Sequence, residues 1–382
     1  MTYHIAFVTT GDIEDIATSK RAFGMAGPLT AVGHRVSILL QETPSNRARL
    51  ALEAPMAEPH WFGALSAGQE NRAKRKILKE ISPDIVYVGS YGIRNLVCPA
   101  RPVRARYLVE HSELPSAITN RPITRRVLDF ALERLTFGAF DGHVCASVYL
   151  AEFVRGKLPE ARGGTVHYSP YAHTRSVMRP AGAPRRGGRG DGPKRLLYMG
   201  TLAPNYGIFH ILDAMTRLRR RMAVELVVLG KGRAFDTAVA RATELGLDDV
   251  VTFKGYVPED ALPGLLGEAD AFVAPIFDTV QDKARCPSKL FMYVAFDRPV
   301  VTSDIGEAHQ IFGPDYPYYF TPDDVPDMAA KLEVALVERA DWTPSWRAAD
   351  HEWQARVTAF DAWLATAFPG APAPVSAQPK GA

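Results

Sequence analysis

A chain of 382 residues is long enough for two or more domains with sizeable cores. Its 47% hydrophobic and 23% charged residues exclude a largely disordered polypeptide, and a formal net charge of +3 is too small to imply a nucleic acid partner. The three cysteines, Cys98, Cys145 and Cys286, are odd in number and far apart, which fits a reducing compartment and offers no metal-ligand spacing.

In chain order, Met1-Thr2-Tyr3-His4 leads into a strand at 5–9. No basic n-region or apolar h-region is visible there, and no run of about 18 apolar residues occurs, so a cytoplasmic chain without a spanning helix is expected. Gly11-Asp12 forms a loop, a helix follows over 17–31, Gly33 stops it, and 35–40 is the next strand. A basic helix over 72–81 precedes a buried-strand run at 84–88. Further strands are read at 106–110 and 141–146, with a helix over 125–137 between them. Strands alternating with helices imply a mostly parallel sheet.

Residues 178–194 break the composition, with many glycines, prolines and arginines and almost nothing apolar, and read as a linker. A second alternating series follows. Strands are predicted at 195–199, 224–229, 250–253 and 271–274, and helices at 208–220, 235–245 and 260–268. Pro287 and Ser288 suit a helix start and Asp297-Arg298-Pro299 its stop; a β-branched strand from Val300 and a Gly306-Glu307 loop come next. The segment 342–368 reads as a packing helix with a stripe of Trp346, Trp353, Phe360 and Trp363, and 369–382 as a disordered tail. The fold class is therefore α/β, with two Rossmann-like domains facing a cleft. Residues 1–176 form the first, 177–194 the linker, 195–345 the second and 346–368 the closing helix. Substrate is expected in the cleft.

Lys289 falls in the first turn of its helix. Free backbone N–H groups, the positive end of the dipole and a lysine make an anion site there, or else the segment is an ordinary capped helix with a solvated lysine.

The second domain carries six short motifs in order: Leu197-Tyr198-Met199-Gly200-Thr201-Leu202 with Gly207 beyond it, Val227-Val228-Leu229-Gly230-Lys231-Gly232, Val251-Thr252-Phe253-Lys254-Gly255-Tyr256-Val257, Ala269-Asp270-Ala271-Phe272-Val273-Ala274-Pro275, Pro287-Ser288-Lys289-Leu290-Phe291, and Arg298-Pro299-Val300-Val301. Over about 195–335 this pattern resembles the donor-binding half of GT-B glycosyltransferases, most closely family 4. The first domain resembles the family more loosely, through Ile5-Ala6-Phe7-Val8, the Gly33-His34-Arg35-Val36 turn and Ser82-Pro83-Asp84-Ile85-Val86.

The resemblance implies a nucleotide-diphosphate sugar donor, a hydroxyl acceptor (glycan, lipid-linked or small molecule), a retaining transfer, and no cofactor or obligatory metal; no Asp-x-Asp motif occurs in the chain. It places Gly200, Thr201, Asn205, Tyr206 and Gly207 in the diphosphate loop, where the glycines serve either donor approach or a tight turn. It sets Lys231, Pro275, Ser288, Lys289 and Leu290 around the donor, and Tyr256 and Val257 against the nucleotide base. Glu307 holds a sugar hydroxyl or simply caps a helix. His111, at the end of a strand, contacts the donor sugar or is a hydrogen-bonded structural histidine. Glu110 and Glu113 orient it or touch acceptor. Gly11 lets backbone approach phosphate or acceptor, and Lys20 and Arg21 either reach an anionic acceptor or form a solvated helix face.

Three departures stand out. Ala284 and Met292 occupy the positions where the family pairs two glutamates, Thr201 and Tyr206 replace the usual Arg and Lys of the glycine loop, and Gln310 stands where a glutamate is common. Methionine accepts no hydrogen bonds from ribose as a carboxylate does. Asp278, Asp282, Lys283 and Arg285 lie on the preceding loop, and Lys283 or Arg285 is expected to supply the missing charge. The basic run Arg72-Ala73-Lys74-Arg75-Lys76-Ile77-Leu78-Lys79 reads either as a contact with anionic membrane or as a solvated helix face packed through Ile77, Leu78 and Ile81. The competing functions are a weakly active sugar-nucleotide-binding homologue or partner subunit, and a sugar-nucleotide epimerase.

Overall fold

The computed structural model describes residues 2–14, 19–118, 121–174, 192–258, 260–337 and 348–369. The sequence readings at 17–18, at 177–191, at 342–347 and at 370–382 lie outside these residues.

The described residues fall into two compact units. The first takes in Met1–Tyr171, Ala284–Cys286 and the described residues from Trp353 onward; the second takes in those of Ala172–Lys283 and Pro287–Glu352.

In the first unit a sheet of seven strands runs in the order β3-β2-β1-β4-β5-β6-β7. Its strands are β1 (His4–Val8), β2 (Arg35–Gln41), β3 (Glu58–Phe62), β4 (Ile85–Val88), β5 (Arg106–His111), β6 (Gly142–Cys145) and β7 (Val166–Tyr168). Every pairing is parallel. The central strands are buried along nearly their whole length, as both faces of a parallel sheet demand. Their crossovers are α1 (Lys20–Ala31), α2 (Pro44–Glu53), α3 (Ala67–Ile81), α4 (Ile123–Ala139) and α5 (Val148–Arg155). The sequence sets several starts. Thr43 accepts from the Asn46 amide with Pro44 next to it, Ser147 accepts from the Leu150 amide, and Ser66 with Gln69 closes a capping box.

The second unit repeats the theme with a parallel sheet in the order β10-β9-β8-β11-β12. These are β8 (Lys194–Met199), β9 (Val224–Leu229), β10 (Val251–Gly255), β11 (Ala271–Ala274) and β12 (Val300–Thr302). Its helices are α6 (Ile208–Leu218), α7 (Phe235–Glu244), α8 (Leu262–Gly267), α9 (Val280–Ala284), α10 (Ser288–Val294), α11 (Glu307–Phe312) and α12 (Val325–Val337). The last helix, α13 (Trp353–Ala367), returns to the first unit. Trp353 faces Gly24 of α1, where any Cβ would collide with the indole, and Phe360 packs edge-on against Tyr87 of β4.

Strand order reverses between β1 and β4 in one sheet and between β8 and β11 in the other. Loops beyond the carboxyl ends of those strands are where such sheets take ligands.

The edge strand β3, Glu-Pro-His-Trp-Phe, was not anticipated; a proline and two polar residues hide it, and an edge strand tolerates both. The solvated-face reading of Arg21 is overturned. Arg21 is buried, donating to the Ser169 hydroxyl at 3.0 Å and the Ser169 carbonyl at 2.7 Å, with Glu110 at 3.1 Å.

Candidate functional site

Two clusters lie at carboxyl strand ends, one in each unit. In the second unit, β8 is followed by Gly200, with φ 145, and β9 by Gly230, with φ 131. Neither angle suits a residue with a side chain. A Cβ on Gly230 would overlap the carbonyl oxygen of Gly200, and one on Gly232 that of Leu202. The loops are thus pressed together backbone to backbone. The Leu202 amide donates to the Lys231 carbonyl at 2.9 Å and the Gly230 amide to the Gly255 carbonyl at 2.7 Å.

Lys289 of α10 closes this cluster. Its Nζ sits 4.2 Å from the centroid of the Tyr198 ring, and a Cβ on Gly200 would meet it at 3.2 Å. The ammonium therefore stands beside the bare backbone of Gly200, held by a cation–π contact. The Tyr293 hydroxyl accepts from the Met199 amide at 2.8 Å, and its ring stacks on Phe272 at 4.2 Å, which fixes α10 against β8 and β11. Helix α10 has only seven residues, so its dipole adds little beyond the lysine charge. Ser288 and Leu290 flank Lys289, the latter buried.

Gly207, with φ 80, ends the 3₁₀ turn Pro204–Tyr206 that carries Asn205 and Tyr206, and packs against Pro275. Thr201, Lys231 and Tyr256 are exposed on the same loops, and Val257 is half-buried. Glu307 is buried in the first turn of α11, after Gly306. Gln310 is exposed.

The loop before α10 does not supply a free cation. Lys283 is paired with Asp278. Asp282 is buried and accepts from the Phe277 amide at 2.7 Å. Arg285 falls with the first unit, where burial raises the carboxyl of Glu113 and the charges of Arg121 and Arg285 offset part of that rise. Ala284 is packed among Leu114, Leu150 and Val154, and Met292 is buried in α10. At these two positions the side chains fill apolar space that would penalise an unpaired carboxylate.

In the first unit a cavity of about 150 Å³ opens at the ends of β4 and β5, lined by His111, Glu113, Arg121, Arg125, Asp129 and Glu133 among others. His111 Nε2 lies 3.1 Å from His143 Nδ1, and the rings stack at 5.3 Å, with the Phe137 ring 6.4 Å from His111 and 6.3 Å from His143. Burial pushes the His111 imidazole down to about 4 and lowers His143 further. Both rings are thus neutral near pH 7. Register explains the pairing: His111 aligns with Cys145, two residues beyond His143, so alternation turns both imidazoles to one face.

Glu110 also lines the cavity but does not orient His111. Its oxygens accept from the Tyr87 hydroxyl at 3.3 Å and the Tyr171 hydroxyl at 3.2 Å, beside the Arg21 guanidinium. It belongs to a buried ion pair. Glu113 is more exposed at the cavity wall. Arg121 and Arg125 both reach Asp129, at 2.7 and 3.0 Å. Gly11, with φ 74, has its carbonyl held by the Asn46 amide nitrogen at 3.1 Å and does not line the cavity. Lys20 opens α1, half-buried. Sequence reasoning missed His143, Arg121 and Asp129, because nothing local to them marks a site.

Residues 193–338 match the family model described as glycosyl transferases group 1. This part of the chain resembles the group 1 glycosyl transferases. Curated relatives match in part. An uncharacterized glycosyltransferase of Methanocaldococcus jannaschii is 30% identical over 125 residues, 32% of this chain and 30% of its own length. The glycogen synthase of Mycobacterium tuberculosis is 29% identical over 180 residues, 44% of this chain and 41% of its own. The chain thus spans less than half the length of these relatives. Among solved structures, Anabaena HepE in complex with UDP and glucose superposes with a TM-score of 0.67 at 13% identity, covering 95% of each chain. The apo lipopolysaccharide outer core galactosyltransferase WaaB gives 0.60 at 14% identity, over 97% of this chain and 99% of its own. The fold is that of GT-B glycosyltransferases, and the six motifs quoted above all lie inside the matched residues 193–338.

Proposed function

We propose that the protein transfers a sugar from a nucleotide-diphosphate donor to a hydroxyl acceptor with retention of anomeric configuration. The observation that carries this reading is the ammonium of Lys289 beside the bare backbone of Gly200, on interlocked glycine loops at the carboxyl ends of β8 and β9. Main-chain amides and one cation suit a pyrophosphate, and the same groups stabilise the charge that grows on it as the sugar departs. In the transfer, the bond between the anomeric carbon and the β-phosphate oxygen breaks and a bond to the acceptor oxygen forms on the same face. The acceptor proton passes to the leaving phosphate. Lys289 holds the phosphate, and His111, neutral at pH 7, hydrogen-bonds the sugar or acceptor rather than carrying charge. Metal is not required in this scheme. That a relative of the same fold was solved with UDP and glucose favours a uridine donor.

Calorimetry with UDP-, GDP-, ADP- and dTDP-linked hexoses tests donor binding, and proton NMR of the product tests retention. Uptake of none of these donors sinks the reading. The apolar environment of Ala284 and Met292 favours one alternative, a binder with weak turnover; it predicts donor binding with neither transfer nor hydrolysis.

A further inference from the structure

We infer that Lys74 is a positioning residue for the His111 cavity: its ammonium holds the loop between β4 and β5 in the shape that walls that cavity. The inference rests on the reading of this cavity as the sugar or acceptor side.

The basic run on α3 divides. Lys76 and Lys79 are exposed, and Ile77, Leu78 and Ile81 face the core. Lys74 has no side-chain exposure at all. An unpaired ammonium would be costly there, but its three protons meet three acceptors. These are Glu70 Oε1 at 2.6 Å, the Arg94 carbonyl at 3.0 Å and Asn95 Oδ1 at 2.5 Å. An ammonium can only donate, so Asn95 turns its oxygen to Lys74, and its amide nitrogen donates to the Ser90 carbonyl at 2.7 Å. Ser90, Tyr91 and Gly92 line the His111 cavity. Glu70 in turn accepts from the Thr10 hydroxyl at 2.6 Å, just beyond β1, and from the Arg94 guanidinium at 2.7 Å. One buried ion pair thus ties the loops after β1 and β4 to α3. Its neighbours on α3 hold the same loop. Asn71 donates to the Ile93 carbonyl and accepts from the Leu96 amide, both at 2.7 Å, and Arg75 donates to the Leu96 carbonyl at 2.6 Å.

A neutral amine has two protons and would turn a lone pair to the third acceptor. The carboxylate is the strongest of the three acceptors, so a contact to the loop is the one released. Burial pushes the Lys74 ammonium down to about 8 from an ordinary 10.5, against the pull of Glu70 and with the help of Arg94, the charged groups that face it. Below about 8 the amine is protonated in the folded and the unfolded chain alike. Between 8 and 10.5 only the folded chain gives up the proton, so this group makes the fold more stable as pH rises. Loosening of the loop over the same range runs opposite to that effect, which separates positioning from general stability.

The test is amide hydrogen exchange of the full chain at pH 7 and pH 9, compared as protection factors so that base catalysis of exchange cancels. Residues 90–96 are expected to lose protection about tenfold at pH 9, while β1 and β4 keep theirs. Lys74→Met is expected to show the loosened loop already at pH 7 and to change no further at pH 9. Asn95→Ala spares the Lys74–Glu70 pair and is expected to loosen 90–92, which keeps the test open should Lys74→Met not fold. Hydrolysis of UDP-glucose is expected to fall about fivefold in kcat in Asn95→Ala. The Kd for UDP is expected to be unchanged, because the Lys289 cluster belongs to the second unit. In the parent kcat is expected to decline above pH 8, and in Asn95→Ala that decline is expected to be absent. Equal protection of 90–96 at the two pH values in the parent overturns the inference, as does loss spread evenly over the first unit or an unaltered kcat in Asn95→Ala. A parent that takes up no sugar nucleotide sinks the transfer reading alone, and the exchange result still decides whether Lys74 holds the loop.

Discussion

His111 and His143 share one hydrogen bond, Nε2 to Nδ1 at 3.1 Å, and His143 Nε2 on the far side of the ring is buried with no partner among the described residues. A buried N–H without an acceptor costs more than a buried lone pair without a donor. The proton of His143 therefore resides on Nδ1 and is donated to His111. His111 is left with its own proton on Nδ1. The pair fixes one tautomer, and the hydrogen-bond donor that His111 presents is set by a neighbour that is itself fully buried.

Nitrogen-15 NMR of labelled protein is expected to report His111 as the Nδ1–H form. His143→Leu is expected to scramble that tautomer and lower kcat about tenfold, which corresponds to about 1.4 kcal/mol, with KM changed little. His143→Asn, whose amide takes the place of Nδ1, is expected to recover most of the loss. Equal loss in both variants would mean that position 143 serves packing alone.

Acid should destabilise the first unit. His111 and His167 are held near 4, and His143 is lowered further, against an ordinary 6.5. All three are neutral in both states above about pH 7, so they add no pH dependence there. Below 6.5 the unfolded chain takes up protons that the folded chain refuses, and stability falls until the folded values are reached. Between pH 7 and 5 the loss is on the order of 2 kcal/mol per imidazole. Urea titrations at the two pH values, followed by a probe in the first unit, check the direction and size.

Lys289→Met is expected to weaken donor binding by roughly 10- to 100-fold, the worth of a charge-assisted hydrogen bond to phosphate. Lys289 is only half-buried, so the fold should be little changed. Calorimetry with the best donor reads the effect. An unchanged Kd would place the diphosphate elsewhere.

Breaking the Arg21–Glu110 pair is expected to cost about 3–5 kcal/mol, because Arg21→Leu leaves a buried carboxylate with two tyrosine hydroxyls and no cation. Chemical denaturation measures it. A loss under 1 kcal/mol would mean that Glu110 protonates or finds water.

Gly230→Ala puts a methyl group into the Gly200 carbonyl at a backbone angle that alanine avoids. We expect a loss of at least about 3 kcal/mol in the second unit, together with loss of donor binding. Gly246→Ala, also at positive φ but with open space around it, separates the angle from the collision and should cost only about 1 kcal/mol.

Periodicity and punctuation in the sequence determined the two alternating α/β series, because hydrophobic alternation, capping residues and glycine positions are local properties. The helix start also singled out Lys289, while Gly200 and Gly207 were singled out by the resemblance to GT-B glycosyltransferases. Local pattern has no means of saying which distant side chain will face which. The tertiary structure decided that Glu110 belongs to Arg21 rather than His111, that His143 governs His111, and that residues 284–286 and α13 join the first unit. It also decided that the basic run of α3 buries one cation, Lys74, against Glu70. A helix carries its stripe in its sequence, but only the neighbours packed against it determine which side remains in water.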